Sequence, residues 1–376
     1  MTSKKRAGKS AAGLALGAAA AAGGLYAFRK IRKAHQSEKP EPPSRVLVYG
    51  AGVIGSFLAH VLCEAGQDVT VLARGKRLEQ LKRDGLVTQD YFTGRKHRDK
   101  PRIIEKISEA GPQDIVFAVM QYNQMPAILD DLADADTSIV VLVGNNLSAP
   151  EMKHHIEERI SETNGREKTV LFGFQGTAGN REKDRTVLIS FGPGSMSIGG
   201  LGEAVPPKVR SLITSLFNGT AFRLSWQNDM DAFLKHHMDL ILPAVWYSYA
   251  HDCDLRGMTG RDCDTVLDAS YELCRILENA GIPLPPDDDE AFYKRGVKRD
   301  LLMKPMLLVM AKTKLGELAA TDHCRHAVKE MQALEEAFMK LIPDDADIDQ
   351  IAYLRAGMPS WTDCQEKFNC VPEGKA

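Results

Sequence analysis

Three clusters in this chain have residue types and spacing that could do chemistry. The first is Gly50-Ala51-Gly52-Val53-Ile54-Gly55, a G-x-G-x-x-G between an apolar run and a helical stripe. There the first glycine permits a tight turn, the second lets backbone approach a pyrophosphate, and the third allows close helix packing. The helix N-terminus beyond offers amide hydrogens and a partial positive charge to the phosphates. Gly50, Gly52, Val53, Ile54 and Gly55 are therefore expected to bind a dinucleotide. A glycine-rich turn with no ligand is the plainer alternative, and the strand–turn–helix context weighs against it.

The second cluster is Ala73-Arg74-Gly75-Lys76-Arg77, at the end of the next apolar run. An acid there would hold the ribose 2′-hydroxyl of NAD. Arg74, Lys76 and Arg77 instead suit a 2′-phosphate, which arginine can pair bidentately, so NADP is expected over NAD. A solvated basic loop would explain the charges but not the missing acid. The third cluster is Lys235, His236, His237 and Asp239. Reducing a carbonyl develops negative charge on its oxygen, which a nearby acid or cation stabilises. Helical geometry keeps Lys235 and His237 from pointing into the same narrow cleft. Lys235 is the preferred proton donor for its reach, His237 the alternative, and His323 the next to test. The bland alternative is a polar helix face with no catalytic part.

These residues need elements to position them. Arg45–Tyr49 and Val69–Ala73 read as strands around a helix at Ser56–Ala65, a βαβ unit with parallel strands. Asp114–Val119 and Ser138–Val143 are uninterrupted apolar strands of the kind buried on both faces, with a helix at Gln124–Leu132 between them. Later strands are expected at Val170–Phe174, Val187–Phe191, Ser197–Gly199 and Ala221–Ser225, with a helix at Pro206–Phe217. From about Asn228 the pattern is helical: Met230–Ala250 with a kink near Pro243, Asp264–Ala280, Asp288–Lys314 and Leu318–Ile342. The expected fold is α/β, a doubly wound parallel Rossmann sheet followed by an all-helical domain. The expected boundaries are a leader and linker at 1–44, a nucleotide-binding domain at 45–227, a helical substrate and dimerisation domain at 228–345, and a tail at 346–376.

Composition is that of a globular protein of ordinary make-up, with 44% apolar and 26% charged residues. A formal net charge of −2 excludes a global field for nucleic acid. Seven cysteines without a Cys-x-x-Cys pair indicate neither a disulfide framework nor a zinc ribbon. His323-Cys324-Arg325-His326 reads as polar helix, so no metal is expected, and Glu330, Glu335 and Glu336 read as a solvated face. The uncharged run Ala11–Phe28 lies between Lys4, Lys5, Arg6, Lys9 and Arg29, Lys30, Arg32, Lys33. As a helix it would span roughly 27 Å at about 1.5 Å per residue, close to a bilayer core. A membrane tether through residues 11–28, with the body on the cytoplasmic side, is preferred over an export signal or a disordered leader.

The string from Val48 to Gly55, then Glu64 to Gly75, resembles the opening of the ketopantoate reductase (2-dehydropantoate 2-reductase) family almost position by position. Leu81–Leu86, Ala118–Asn123 and Leu142–Leu147 fall where that family carries its following motifs, and the resemblance runs to about residue 342. It implies NADPH-dependent reduction of a small 2-keto acid between the two domains, with a lysine as donor and an asparagine after the fifth strand. Asn145 matches that asparagine and is expected to touch both cofactor and substrate. Three departures mark a divergent member. Met120 replaces the lysine after the fourth strand, His237 aligns without gaps to the catalytic lysine, and Ala319–Cys324 lacks the late glutamate motif. A short gap would bring Lys235 onto the catalytic position. The partners implied are a small carbonyl substrate, a second copy of the chain as a homodimer, and no nucleic acid. An NADP-binding sensor or scaffold that has lost catalysis is the alternative function.

Overall fold

The computed structural model describes residues 42–368 apart from Phe191 and Asp287. The leader and its expected tether lie outside the described residues, among which no helix is long and apolar enough to cross a membrane. In chain order the first strands are β1 (Arg45–Tyr49), β2 (Asp68–Leu72), β3 (Leu86–Asp90), β4 (Lys96–Asp99), β5 (Arg102–Ile104) and β6 (Ile115–Val119). They are followed by β7 (Ile139–Val143), β8 (Thr169–Gln175), β9 (Thr177–Arg181), β10 (Thr186–Ser190), β11 (Ser195–Gly199) and β12 (Arg223–Gln227).

The main sheet has the order β12-β11-β8-β7-β6-β1-β2-β5. It is parallel from β5 to β8, whereas β11 runs antiparallel to β8 and carries β12 beside it in parallel. Strand order reverses between β1 and β6, the point where a doubly wound sheet opens a ligand crevice at its strand ends. A second sheet, β4-β3-β10-β9, takes the strand expected at 187–191 away from the main sheet. Short polar strands such as Lys96–Asp99 carry no apolar alternation, so this sheet has little signature in the sequence.

Strands β6 and β7 are buried along their whole length, as two-faced strands must be. Alternate residues of β1 and β2 serve opposite faces. Val46, Val48, Val69 and Val71 pack with Phe57, Leu58, Val61 and Leu62 of helix α1 (Val53–Glu64). Leu47, Tyr49 and Leu72 pack on the other face with Met125, Leu132, Met152 and Ile156. Each such side chain contributes about 1.5–3 kcal/mol of burial. The remaining helices of this half are α2 (Gly75–Asp84), α3 (Leu129–Asp134), α4 (Ala149–Thr163) and α5 (Pro207–Ser215). Helix α4 is not expected from the sequence pattern, because its buried residues Ala149, Met152 and Ile156 are sparse among charges.

From Met230 onward the described elements are helical. Helix α6 (Met230–Ala250) starts on the Asp229 carboxylate, which accepts from the Asp231 and Ala232 amides, and it continues past Pro243. Helix α7 (Gly260–Asn279) begins earlier than expected, with a Thr259–Asp262 capping box. The stretches expected as two long helices are broken up: π turns at Arg299–Met303 and Glu317–Thr321, and a break at Ala327 before Val328–Met339. Buried Arg299 bonds to Asp264 and Asp268 of α7 and to the Tyr293 carbonyl, holding the first π turn against the core. Helices Asp349–Gly357 and Trp361–Phe368 occupy the segment expected as a tail, and Ile351, Leu354 and Cys364 bury into the helical core. Such short helices carry too few apolar residues to show a period.

Candidate nucleotide and substrate site

The glycines of the loop differ in what they serve. Gly50 has φ +115°, and a Cβ there would lie 2.1 Å from the Val119 carbonyl oxygen. A Cβ on Gly55 would lie 2.0 Å from the Gly50 carbonyl oxygen, so both are required by backbone packing alone. Gly52 caps α1, and a Cβ there meets nothing within 4 Å. No fold contact demands a glycine at that position; a ligand lying against the backbone would. Val53 and Ile54 are half-buried at the first turn of α1.

The basic cluster divides as well. Arg74, at the end of β2, and Lys76 are exposed. Arg77 is buried, and its guanidinium donates to the Ala51 carbonyl at 3.0 Å, Ser56 Oγ at 2.8 Å, Thr186 Oγ1 at 3.2 Å and Gln80. It ties the glycine loop to β10, and burial together with Arg181 pushes its pKa down to about 10. Arg77 therefore supports the loop from behind, although the sequence groups it with the exposed pair.

Around the β6 and β7 ends, Met120 Sδ would lie 3.5 Å from a Cβ on Gly50, and the Met120 carbonyl 2.7 Å from one on Gly144. Met120 thus joins the glycine loop to the turn that carries Asn145. The Asn145 Oδ1 atom is buried and has no hydrogen-bond partner, an acceptor left for something else to satisfy. Beyond it the helical half closes over the strand ends. The Tyr122 amide donates to Glu330 Oε1 at 3.1 Å, Tyr122 Oη and Ser148 Oγ share a hydrogen bond at 2.7 Å, and His323 Nε2 lies 3.4 Å from Glu330 Oε2. The Glu330 carboxylate beside this exposed ring raises the His323 pKa above its ordinary value.

Glu330 and Glu335 are not solvated: each is 3% exposed. Glu335 accepts from Trp246 Nε1, Trp361 Nε1 and Arg355 Nε, binding the two C-terminal helices to the core. The available signal was their place inside the stripe Val328, Met331, Leu334 and Phe338. A carboxylate at helical spacing within an apolar stripe needs buried partners.

The donor candidates on α6 separate as helix geometry requires. Lys235 Nζ donates to Asp231 Oδ2 at 2.6 Å, one turn earlier, with its side chain 11% exposed. His237 packs tilted against Phe174, with ring centroids 4.1 Å apart, beside a cavity of about 200 Å³ that Leu240, Ile241 and Tyr293 help line. Burial pushes its pKa down to about 4. His236 turns inward to Asp239 Oδ2 at 2.7 Å and the Ile282 carbonyl at 3.2 Å. His236, Asp239 and Cys274 have ligand-type atoms within 4.8 Å of one another, but both ring nitrogens of His236 are already engaged. In His323–His326, Cys324 is buried, Arg325 pairs with Asp322, and His326 bonds the Asp322 carbonyl, an ordinary helical turn.

Residues 46–203 match the family model of ketopantoate reductase PanE/ApbA. Over this span, less than half of the chain, the sequence is similar to the ketopantoate reductase family. An uncharacterized oxidoreductase, YkpB of Bacillus subtilis (strain 168), is 36% identical over 93 residues, 23% of this chain and 28% of that protein. A 2-dehydropantoate 2-reductase of Archaeoglobus fulgidus is 31% identical over 108 residues, 29% of this chain and 34% of that relative. The chain therefore aligns with no more than 34% of either relative's length. The similarity of fold reaches much further along the chain. The crystal structure of 2-dehydropantoate 2-reductase from Geobacter metallireducens GS-15 has a TM-score of 0.62 at 14% identity, covering 83% of this chain and 98% of its own. The ternary structure of D-mandelate dehydrogenase with NADH and anilino(oxo)acetate has a TM-score of 0.63 at 16% identity, covering 86% and 99%. At these identities the likeness is one of fold.

Proposed function

We propose that this chain reduces a 2-keto acid or related small carbonyl compound with a nicotinamide cofactor, NADPH by preference. The observation that carries this reading is Gly52. It is a glycine that no protein contact requires, at the N-terminus of α1 and between two glycines that the fold does require. A pyrophosphate fits that space, and the unpartnered Asn145 Oδ1 suits a ligand donor at the strand ends. The bound nicotinamide would supply the hydride. Arg74 and Lys76 would receive the 2′-phosphate, Arg77 would hold the loop, and Asn145 would orient cofactor and substrate.

Lys235 would supply the proton to the carbonyl oxygen, with its ammonium positioned by Asp231. His237, with its pKa pushed down to about 4, holds no acidic proton at neutral pH and is the weaker candidate. Relatives named as an oxidoreductase and a 2-dehydropantoate 2-reductase support reduction over a sensor or scaffold role. The test is steady-state NADPH and NADH oxidation against a panel of 2-keto acids. Turnover of at least one acid is expected. Tight nucleotide binding with no turnover of any of them would sink the reductase reading.

A further inference from the structure

The end of β2 lacks the acid that would select NAD, yet the fold delivers a carboxylate there from elsewhere. Tyr49, the last residue of β1, is 1% exposed, and its ring stands fixed in the core. Its hydroxyl donates to Asp131 Oδ2 at 2.8 Å, although the two residues are 82 positions apart. The Arg74 guanidinium donates to the same hydroxyl, lies 3.6 Å from Asp131 Oδ2, and sits over the Tyr49 ring at 5.5 Å. Arg74, the residue that would clamp a 2′-phosphate, thus already has a carboxylate partner held in register by a buried phenol. Arg77, the other arginine of the cluster, is committed to the glycine loop.

We propose that Asp131, positioned by Tyr49, is a nucleotide-specificity residue that competes with the 2′-phosphate for Arg74. The inference rests on the nucleotide-site reading above. A 2′-phosphate must draw Arg74 away from Asp131 and then sit close to that like charge. A ribose 2′-hydroxyl meets no such opposition and can donate to the carboxylate. The chain therefore discriminates between NADPH and NADH less than its basic loop alone would dictate. Both Arg74 and Asp131 are partly exposed, with side chains 61% and 40% accessible, so the effect is several-fold and fades with salt.

The experiment is fluorescence titration of the full chain with NADPH and with NADH, at low and moderate salt. The proteins are wild type, Asp131→Asn, Tyr49→Phe, Arg74→Ala and the Arg74→Ala/Asp131→Asn pair. Asp131→Asn should raise the NADPH-to-NADH affinity ratio about five-fold at low salt, within the range of exposed ion pairs. Tyr49→Phe should raise it less, and Asp131→Asn should add clearly less once Arg74 is alanine, because only the direct effect of the carboxylate on the 2′ group then remains. If both nucleotides bind and Asp131→Asn leaves the ratio unchanged, or the same gain persists without Arg74, the inference is overturned. If wild type binds neither nucleotide, the site reading itself falls and takes this inference with it.

Discussion

The sheet half and the helical half each build a buried core, by different routes. In the first, local pattern and final role coincide: β1, the glycine loop and α1 are contiguous and form one βαβ unit with β2. In the second, the decisive groups are polar residues buried within helices. Arg299 bridges to Asp264 and Asp268, and Glu335 gathers two tryptophans and an arginine from three elements. A site that depends on backbone shape advertises itself as glycine. One that depends on long-range pairing looks like surface charge until the partners are known.

Six substitutions would break or sharpen that contrast, here from the largest expected effect to the smallest, with Gly52→Ala set beside Gly50→Ala as its control. Gly50→Ala forces a Cβ into the Val119 carbonyl at a strained φ and should cost about 3 kcal/mol or more in denaturant unfolding. Gly52→Ala should leave stability within about 0.5 kcal/mol and lower nucleotide affinity instead. Equal destabilisation by both would erase the distinction between fold glycines and a ligand glycine. On the helical side, Glu335→Ala strands the buried Trp246 indole and unpairs half-buried Trp361 and exposed Arg355, and should cost about 1–3 kcal/mol without altering nucleotide affinity. A change within experimental error would return Glu335 to the solvated face that the sequence suggested.

The catalytic contrast lies on one helix. Lys235→Ala should lower turnover about 10²-fold while nucleotide binding holds. The pH profile separates the two donors, because a donor must be protonated to act. With its pKa pushed down to about 4, His237 would already be failing as an acid above about pH 5. A kcat that holds between about pH 6 and 8 therefore counts against His237, and a steady decline from about pH 5 would count against Lys235. The smallest effect is expected in the basic loop. Arg74→Ala should weaken NADPH several-fold and spare NADH, whereas Arg77→Ala should weaken both nucleotides alike and lower the melting temperature. Matching profiles for the two arginines would mean that burial does not separate their roles.

Several features are legible in the order of residues alone. The βαβ unit, the two-faced strands β6 and β7 and the switch to helices near residue 228 all follow from local rules: strand period, turn glycines and capping residues act over a few positions. The second sheet, helix α4 and the last two helices are not legible there, since each is short or polar and gains its stability from surfaces supplied by distant chain. The same physics divides the site. A glycine at positive φ is a local requirement, so the sequence by itself determined the tight turn between β1 and α1. Only the tertiary structure decided which charges around that turn are already committed to partners. It sent Arg77 inward to the loop, brought Asp131 to Arg74 and buried Glu330 against Tyr122. A side chain's charge is written in its type, but its availability depends on burial and on partners far along the chain.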